Sequence, residues 1–207
     1  MFSNFSQFRF MIPPDRFAKA IAAFDAYNLN DPNKEEHDGR VFPKELLYAQ
    51  RMTERLAGFA PDAAEDVKLA ARCQHIGRWE IPRSNYPMNK KGYLQWRNEE
   101  KSHHAKIAQD ILKACGYDQE TIDRVKLLLL KKELYTNPHT QLLEDVVCLV
   151  FIEFYLEEFA AKHDDEKVVD ILRKTIKKMT TRGVQSAGQI PLSDRMKSLI
   201  CRAVPMI

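Results

Sequence analysis

The segment from Gln141 to His163 constrains the fold most. It is apolar on most helical faces, and its stretch Val146–Ile152 is the longest apolar run in the chain. A helix that is apolar nearly all round is stable in water only when buried. The run falls well short of the roughly 18–20 residues that span a bilayer. The sequence therefore predicts a soluble, all-α protein with this helix at its centre. Seven glycines in 207 residues argue against a Gly-rich nucleotide loop or a turn-dense β-sandwich. No convincing strand stands out beyond a short piece near the N-terminus.

Helical spacing of apolar residues places the other elements. Pro14 opens a helix through Phe17, Ile21 and Phe24, which ends in a polar loop from Asn28 to Gly39. A second helix starts at Pro43 and carries Tyr48, Met52, Leu56 and Phe59 on one face. Asp62 and Glu65 have capping-box spacing for a third helix running to about Ile76. Further helices are expected over Ser102–Cys115, over Asp118–Leu134 with the turn Asn137-Pro138 after it, over Asp165 to about Thr181, and from a Ser193 cap to Val204. Residues 1–13 read as an N-terminal extension and 14–207 as a single compact helical domain. Within it, 77–101 is a long functional connection holding prolines and unperiodic aromatics. The N-terminus has no charged region leading into an apolar one, so no secretory signal is expected. Cys73, Cys115, Cys148 and Cys201 are far apart in apolar helical contexts and read as reduced core thiols of a cytoplasmic protein.

The net charge of +3 hides a strong segregation. Eight bases against three acids give +5 from Arg72 to Lys106, and nine acids against two lysines give −7 from His139 to Asp170. Ile171–Arg182 then carries five bases and no acid. Segregated charge can focus a field that attracts anions. Uniform nucleic-acid binding is not indicated by a pI of about 8.6.

Several polar residues fall on apolar faces. Asp145 shares a face with Leu149, Ile152, Leu156 and Phe159, and Glu144 sits beside Cys148, Phe151 and Tyr155. His104 lies on the stripe of its helix, Gln74 and His75 end the third helix, and Lys131 or Lys132 must point inward. A buried carboxylate is costly unless paired or metal-bound, so these groups are expected to converge on one interior region. Arg78, Arg83 and Arg97 stand among Trp79, Tyr86, Tyr93 and Trp96. Guanidinium groups grip phosphate or carboxylate at two points, and aromatic faces stack on bases or on arginine. At least two of the arginines are expected to line a cleft beside His75 and take an anion. The alternatives stay open: a buried hydrogen-bonded network, and arginines that hold the loop down through carbonyls.

The stretch Ala70-Ala71-Arg72-Cys73-Gln74-His75-Ile76-Gly77-Arg78 resembles the helix end of HD-superfamily phosphohydrolases. Gln74 stands at that family's His and His75 at its Asp. Tyr48 falls at a metal-binding His, and His104, with Lys131 or Lys132, falls near other His positions. Asp145 resembles the last Asp ligand, and the resemblance implies that His75 and Asp145 meet in one polar cluster. The resemblance covers about Pro43 to Phe159 and implies the HD-domain fold and metal-dependent phosphohydrolysis. A closer resemblance is to the domain-of-unknown-function family numbered 4202. It is carried by Pro43-x-Glu45-Leu46 with Arg51-Met52, Gln74-His75-Ile76-x-Arg78-Trp79-x-x-Pro82-Arg83, Tyr86-Pro87, Gly92-Tyr93-x-x-Trp96-Arg97 and Gln141-x-x-Glu144-Asp145.

Three functional readings follow. In a divergent metal-assisted phosphohydrolase, His75 and Asp145 hold a divalent ion. There His104, Lys131 or Lys132 serves as acid or base, and the arginines bind a small phosphorylated or nucleotide-like ligand. In a metal-free protein on the same scaffold, Gln74, Arg78, Trp79, Arg83, Tyr86, Tyr93, Arg97 and Glu144 line a site for a small anion or an RNA end. In a helical adaptor, the polar cluster is purely structural. None of the three requires a membrane.

Overall fold

The computed structural model describes residues 15–204. The expected N-terminal extension, Pro14 and the possible strand before it lie outside these residues. Ten α-helices and one two-stranded hairpin are described, so the protein is mostly rather than wholly α. Helix α1 (Arg16–Asn28) is capped by the Asp15 side chain, which accepts from the Ala18 N–H at 2.7 Å. The expected loop after it contains β1 (Lys34–His37) paired antiparallel with β2 (Arg40–Pro43). Between them Asp38 and Gly39 both take left-handed φ, +50° and +71°. That is the backbone of a two-residue hairpin turn, for which Asp-Gly is the usual sequence.

Helix α2 (Lys44–Phe59) starts where the sequence predicts. Asp31, buried in the loop before the hairpin, accepts from the Glu45 N–H at 2.9 Å and satisfies this helix's first turn. The predicted capping box at Asp62 and Glu65 does not form. Helix α3 (Glu65–Arg72) begins three residues later, with Glu65 turned to accept from the Tyr117 hydroxyl at 2.8 Å. The long connection is shorter than expected. After two 3₁₀ turns (Arg78–Glu80 and Arg83–Asn85), α4 starts at Lys90 and runs to Ala114. Its cap is the Asn89 side chain, which accepts from the Gly92 N–H at 2.9 Å. Tyr93, Trp96 and Arg97 are therefore helical residues, and their wheel positions became legible only with this cap.

Helix α5 (Gln119–Leu129) is followed by α6 (Pro138–Val150). Asn137 and Pro138, expected as a turn, are instead the N-cap and first residue of α6. The predicted central helix continues through a π-helical turn at Phe151–Tyr155 into α7 (Leu156–Ala161). Leu149 and Ile152 on it are buried, as expected. Helix α8 (Asp165–Ile176) precedes α9 (Thr181–Ala187), which sequence periodicity did not reveal, and α10 (Asp194–Ala203), capped by Ser193 as expected. One cluster of buried apolar side chains draws on all ten helices. Cys73 and Cys148 are buried, whereas Cys201 is exposed rather than a core thiol.

Candidate functional site

A cleft of about 1900 Å³ opens between two walls that are distant in sequence. One wall is the connection after α3 together with the start of α4, and it contributes Arg78, Trp79, Arg83, Tyr93, Trp96 and Arg97. The facing wall is α8 and the turn after it, with Lys167, Lys174, Lys177 and Lys178. The floor is the polar end of α6 and its π-helical turn, and the base of the hairpin closes one end. The two basic stretches of the sequence thus face each other. Eleven lysines and arginines line the cleft against two acids, Glu45 and Glu144. Such a surface concentrates anions.

His75 sits deep in this cleft, stacked on Tyr48 with ring centroids 4.0 Å apart. Its Nε2 accepts from Arg78 Nη1 at 2.9 Å, which leaves Nδ1 as the protonated nitrogen, 3.4 Å from Glu45 Oε2. Burial, and then the Arg78 charge, push the imidazole well below its usual pKa, so the ring is neutral. Burial likewise raises Glu45 to about 7, with Arg78 pulling the other way. The Arg78 guanidinium is held 5.0 Å over the Trp96 ring, whose indole N–H donates to the Ile81 carbonyl at 2.8 Å.

Lys131 enters from the end of α5. It takes φ +53°, where a helix C-terminus normally carries glycine. A lysine held there costs on the order of 1 kcal/mol or more and is a mark of functional sites. Its ammonium pairs with Glu144, which Lys178 also approaches at 3.4 Å. Burial acts to raise Glu144, but the two lysines prevail and hold it below the usual carboxylate range. Burial, opposed by Glu144, lowers the Lys131 pKa. Arg97 projects between these groups: its charge depresses His75 and Lys131 alike. Among the described residues Arg97 has no carboxylate within salt-bridge distance, unlike its neighbours Arg78 and Lys131. Two lysines share one carboxylate and a third cation has none, so the inner end of the cleft carries uncompensated positive charge.

Other expected site residues lie elsewhere. Asp145 does not meet His75. Its oxygens accept from the Thr180 N–H at 2.8 Å and from the Thr180 hydroxyl at 2.6 Å, and it packs on Gly183 of α9. A Cβ on Gly183 would stand 2.6 Å from Asp145 Oδ1, so the carboxylate and the start of α9 form one tight unit. His104 is buried, with Nδ1 on the Ile76 carbonyl at 2.7 Å and Nε2 3.0 Å from Glu100 Oε2. It ties α4 to the end of α3 and does not line the cleft. Gln74 is buried behind the cleft, and Lys132 is exposed outside it. Tyr86 lies outside too. Arg83 reaches the cleft, but it donates to the Tyr86 and Pro87 carbonyls at 3.0 and 2.8 Å, which makes it a staple of the connection.

The expected metal fits these side chains poorly. His75 has both ring nitrogens engaged, and Asp145 spends both oxygens on Thr180. Among the described residues no three His, Cys, Asp or Glu side chains group in a way that can hold a metal ion. Sequence reasoning missed Glu45 as a site residue, although it stands in the Pro43-x-Glu45-Leu46 motif. It also missed Lys178 and the α8 lysines, whose signal was the basic run from Ile171 to Arg182.

The model of one protein family, described as a domain of unknown function (DUF4202), matches residues 18–200. Neither the curated proteins nor the solved structures give a match. No helix among the described residues is long and apolar enough to cross a membrane.

Proposed function

The chain belongs to the DUF4202 family, and we propose that it binds a phosphorylated, nucleotide-like ligand in the cleft, through its own cations rather than through an ion held on His75 and Asp145. The observation that carries this reading is the inner cluster of Arg97, Lys131, Lys178 and Arg78, in which positive charge exceeds the two carboxylates it faces. Arg97 offers the planar two-point grip that phosphate favours. Trp79 and Tyr93 border the same space and supply faces for a base. The resemblance to HD phosphohydrolases agrees with a phosphorylated ligand, while Tyr48 and Gln74 at that family's His positions agree with a site that has left the metal behind.

A second reading is favoured by Glu45, a buried carboxyl raised to about 7 beside the neutral His75. Such a pair can exchange protons with a bound phosphate ester near neutral pH, which is acid–base chemistry of hydrolytic type.

Calorimetric titration with adenosine monophosphate tests the binding reading. We expect saturable binding that survives prior treatment with a chelator. Arg97→Ala is expected to weaken it about tenfold or more, the loss of a hydrogen bond to a charged group. Binding abolished by chelation, or untouched in Arg97→Ala, overturns the reading. Phosphate release from the same nucleotide, abolished in Glu45→Gln, would establish the hydrolytic reading.

A further inference from the structure

The geometry points to a single-stranded nucleic-acid end as the ligand, with its terminal phosphate in the inner cluster and the following nucleotides along the outer half of the cleft. This rests on the phosphate-binding reading above and extends it to a ligand class.

Three observations lead there. The cleft, at about 1900 Å³, exceeds the roughly 300–1,000 Å³ that a small-molecule ligand occupies. Its cations do not stop at the inner cluster. Lys174 and Lys177 continue along α8 and its end, and Lys34 and Lys44 stand at the hairpin end, so charge is spread over a length rather than focused on one phosphate. Finally, of the seven large apolar side chains left exposed among the described residues, four line this one cleft: Met88, Tyr93, Leu94 and Tyr135. Tyr93 is 47% and Tyr135 71% exposed. Neither belongs to the apolar core, and each stands exposed along the cleft.

Spaced cations that follow a backbone, interleaved with exposed aromatic faces, are what a single strand requires: phosphates repeat along it and its bases are free to stack. A duplex keeps its bases stacked on each other and gains nothing from Tyr93 and Tyr135. A charge-only polymer such as inorganic polyphosphate would use the lysines and ignore the rings. The strand end is favoured over an internal segment because the inner cluster gathers Arg97, Lys131 and Lys178 around the single carboxylate Glu144. A terminal phosphate monoester there carries more charge than an internal diester.

The test is fluorescence anisotropy of the full chain with mixed-sequence single-stranded decamers carrying a 5′-phosphate, a 3′-phosphate or neither, together with a blunt duplex. Adenosine monophosphate and inorganic polyphosphate serve as competitors. A phosphorylated single strand should bind tighter than adenosine monophosphate, tighter than the strand with no terminal phosphate, and tighter than the duplex. Its affinity should fall steeply with added salt. Tyr135→Ala and Tyr93→Ala should each weaken strand binding about tenfold and leave adenosine monophosphate binding within twofold for Tyr135→Ala. Lys174→Gln combined with Lys177→Gln should flatten the salt dependence. Circular dichroism melts check that each variant is folded.

A strand that binds no better than the mononucleotide overturns this inference and leaves phosphate binding standing, whereas loss of both overturns the reading beneath it. Equal binding of the duplex, or of the strand lacking a terminal phosphate, also overturns it. So does displacement by polyphosphate with both tyrosine variants unaffected.

Discussion

Glu45 and Asp145 are both carboxylates buried to nearly the same degree, yet they do opposite things. Asp145 is closed: a backbone N–H and a hydroxyl satisfy it, and a glycine presses against it. Glu45 is open. It faces Arg78 at 3.8 Å and His75 at 3.4 Å across looser gaps, and it borders the cleft. Burial alone therefore does not identify a functional acid. What the oxygens face does, because a carboxylate held by short hydrogen bonds and packed against backbone is closed to a ligand, while a loosely faced one remains available at a cost in stability.

The largest effect separating the two regions should come from Asp145→Ala. Removing two hydrogen bonds to a charged group is expected to cost about 3–5 kcal/mol, read as a shift in urea midpoint, with nucleotide affinity of the folded fraction unchanged. A variant that keeps its stability but loses the ligand would place Asp145 in the site after all.

Arg83→Ala should fall between the two regions. It removes the hydrogen bonds to the partly exposed Tyr86 and exposed Pro87 carbonyls, which water can replace, and is expected to cost about 1 kcal/mol. Affinity should drop less than in Arg97→Ala, since Arg83 is already spent on the loop. Titrations of the two variants side by side decide it; equal losses of affinity would make Arg83 a ligand residue.

The smallest effect concerns pH. Glu45 is raised from 4.5 to about 7. Between those values the folded protein holds a proton that the unfolded chain has lost, so Glu45 makes stability fall as pH rises. His75 and His104 are lowered from 6.5, so their contribution is lost as pH falls through that value. The two trends oppose. In Glu45→Gln only the histidine trend of the two remains, and stability should climb more steeply than in the parent across roughly pH 5 to 7. Parallel stability curves would show that Glu45 is not held protonated by its burial.

Much of the helical framework was legible because it follows local rules. Pro43 before α2, the start of α5 at Asp118, Ser193 as a cap, and the buried Leu149–Ile152 face all obey spacing that a few neighbouring residues determine. The hairpin was missed although Asp38-Gly39 signals it, because its strands lack apolar alternation. The start of α4 was missed because Pro82, Pro87 and Gly92 mask the Asn89 cap. Within the site, Arg78, Arg97, Lys131, Glu144 and His75 all line the cleft and were all singled out in the sequence. Their partners were not, since His75 pairs with Glu45 and Asp145 with Thr180.

The sequence by itself determined that the chain is helical, that one helix is central, and that its charges are segregated. Each of these depends on residue type and short-range spacing. Only the tertiary structure decided that the two basic stretches, Arg72–Lys106 and Ile171–Arg182, face each other across one cleft. It also decided which carboxylate is left open there. The reason is that tertiary packing brings segments far apart in the chain to one cleft, and no spacing along the chain encodes that meeting.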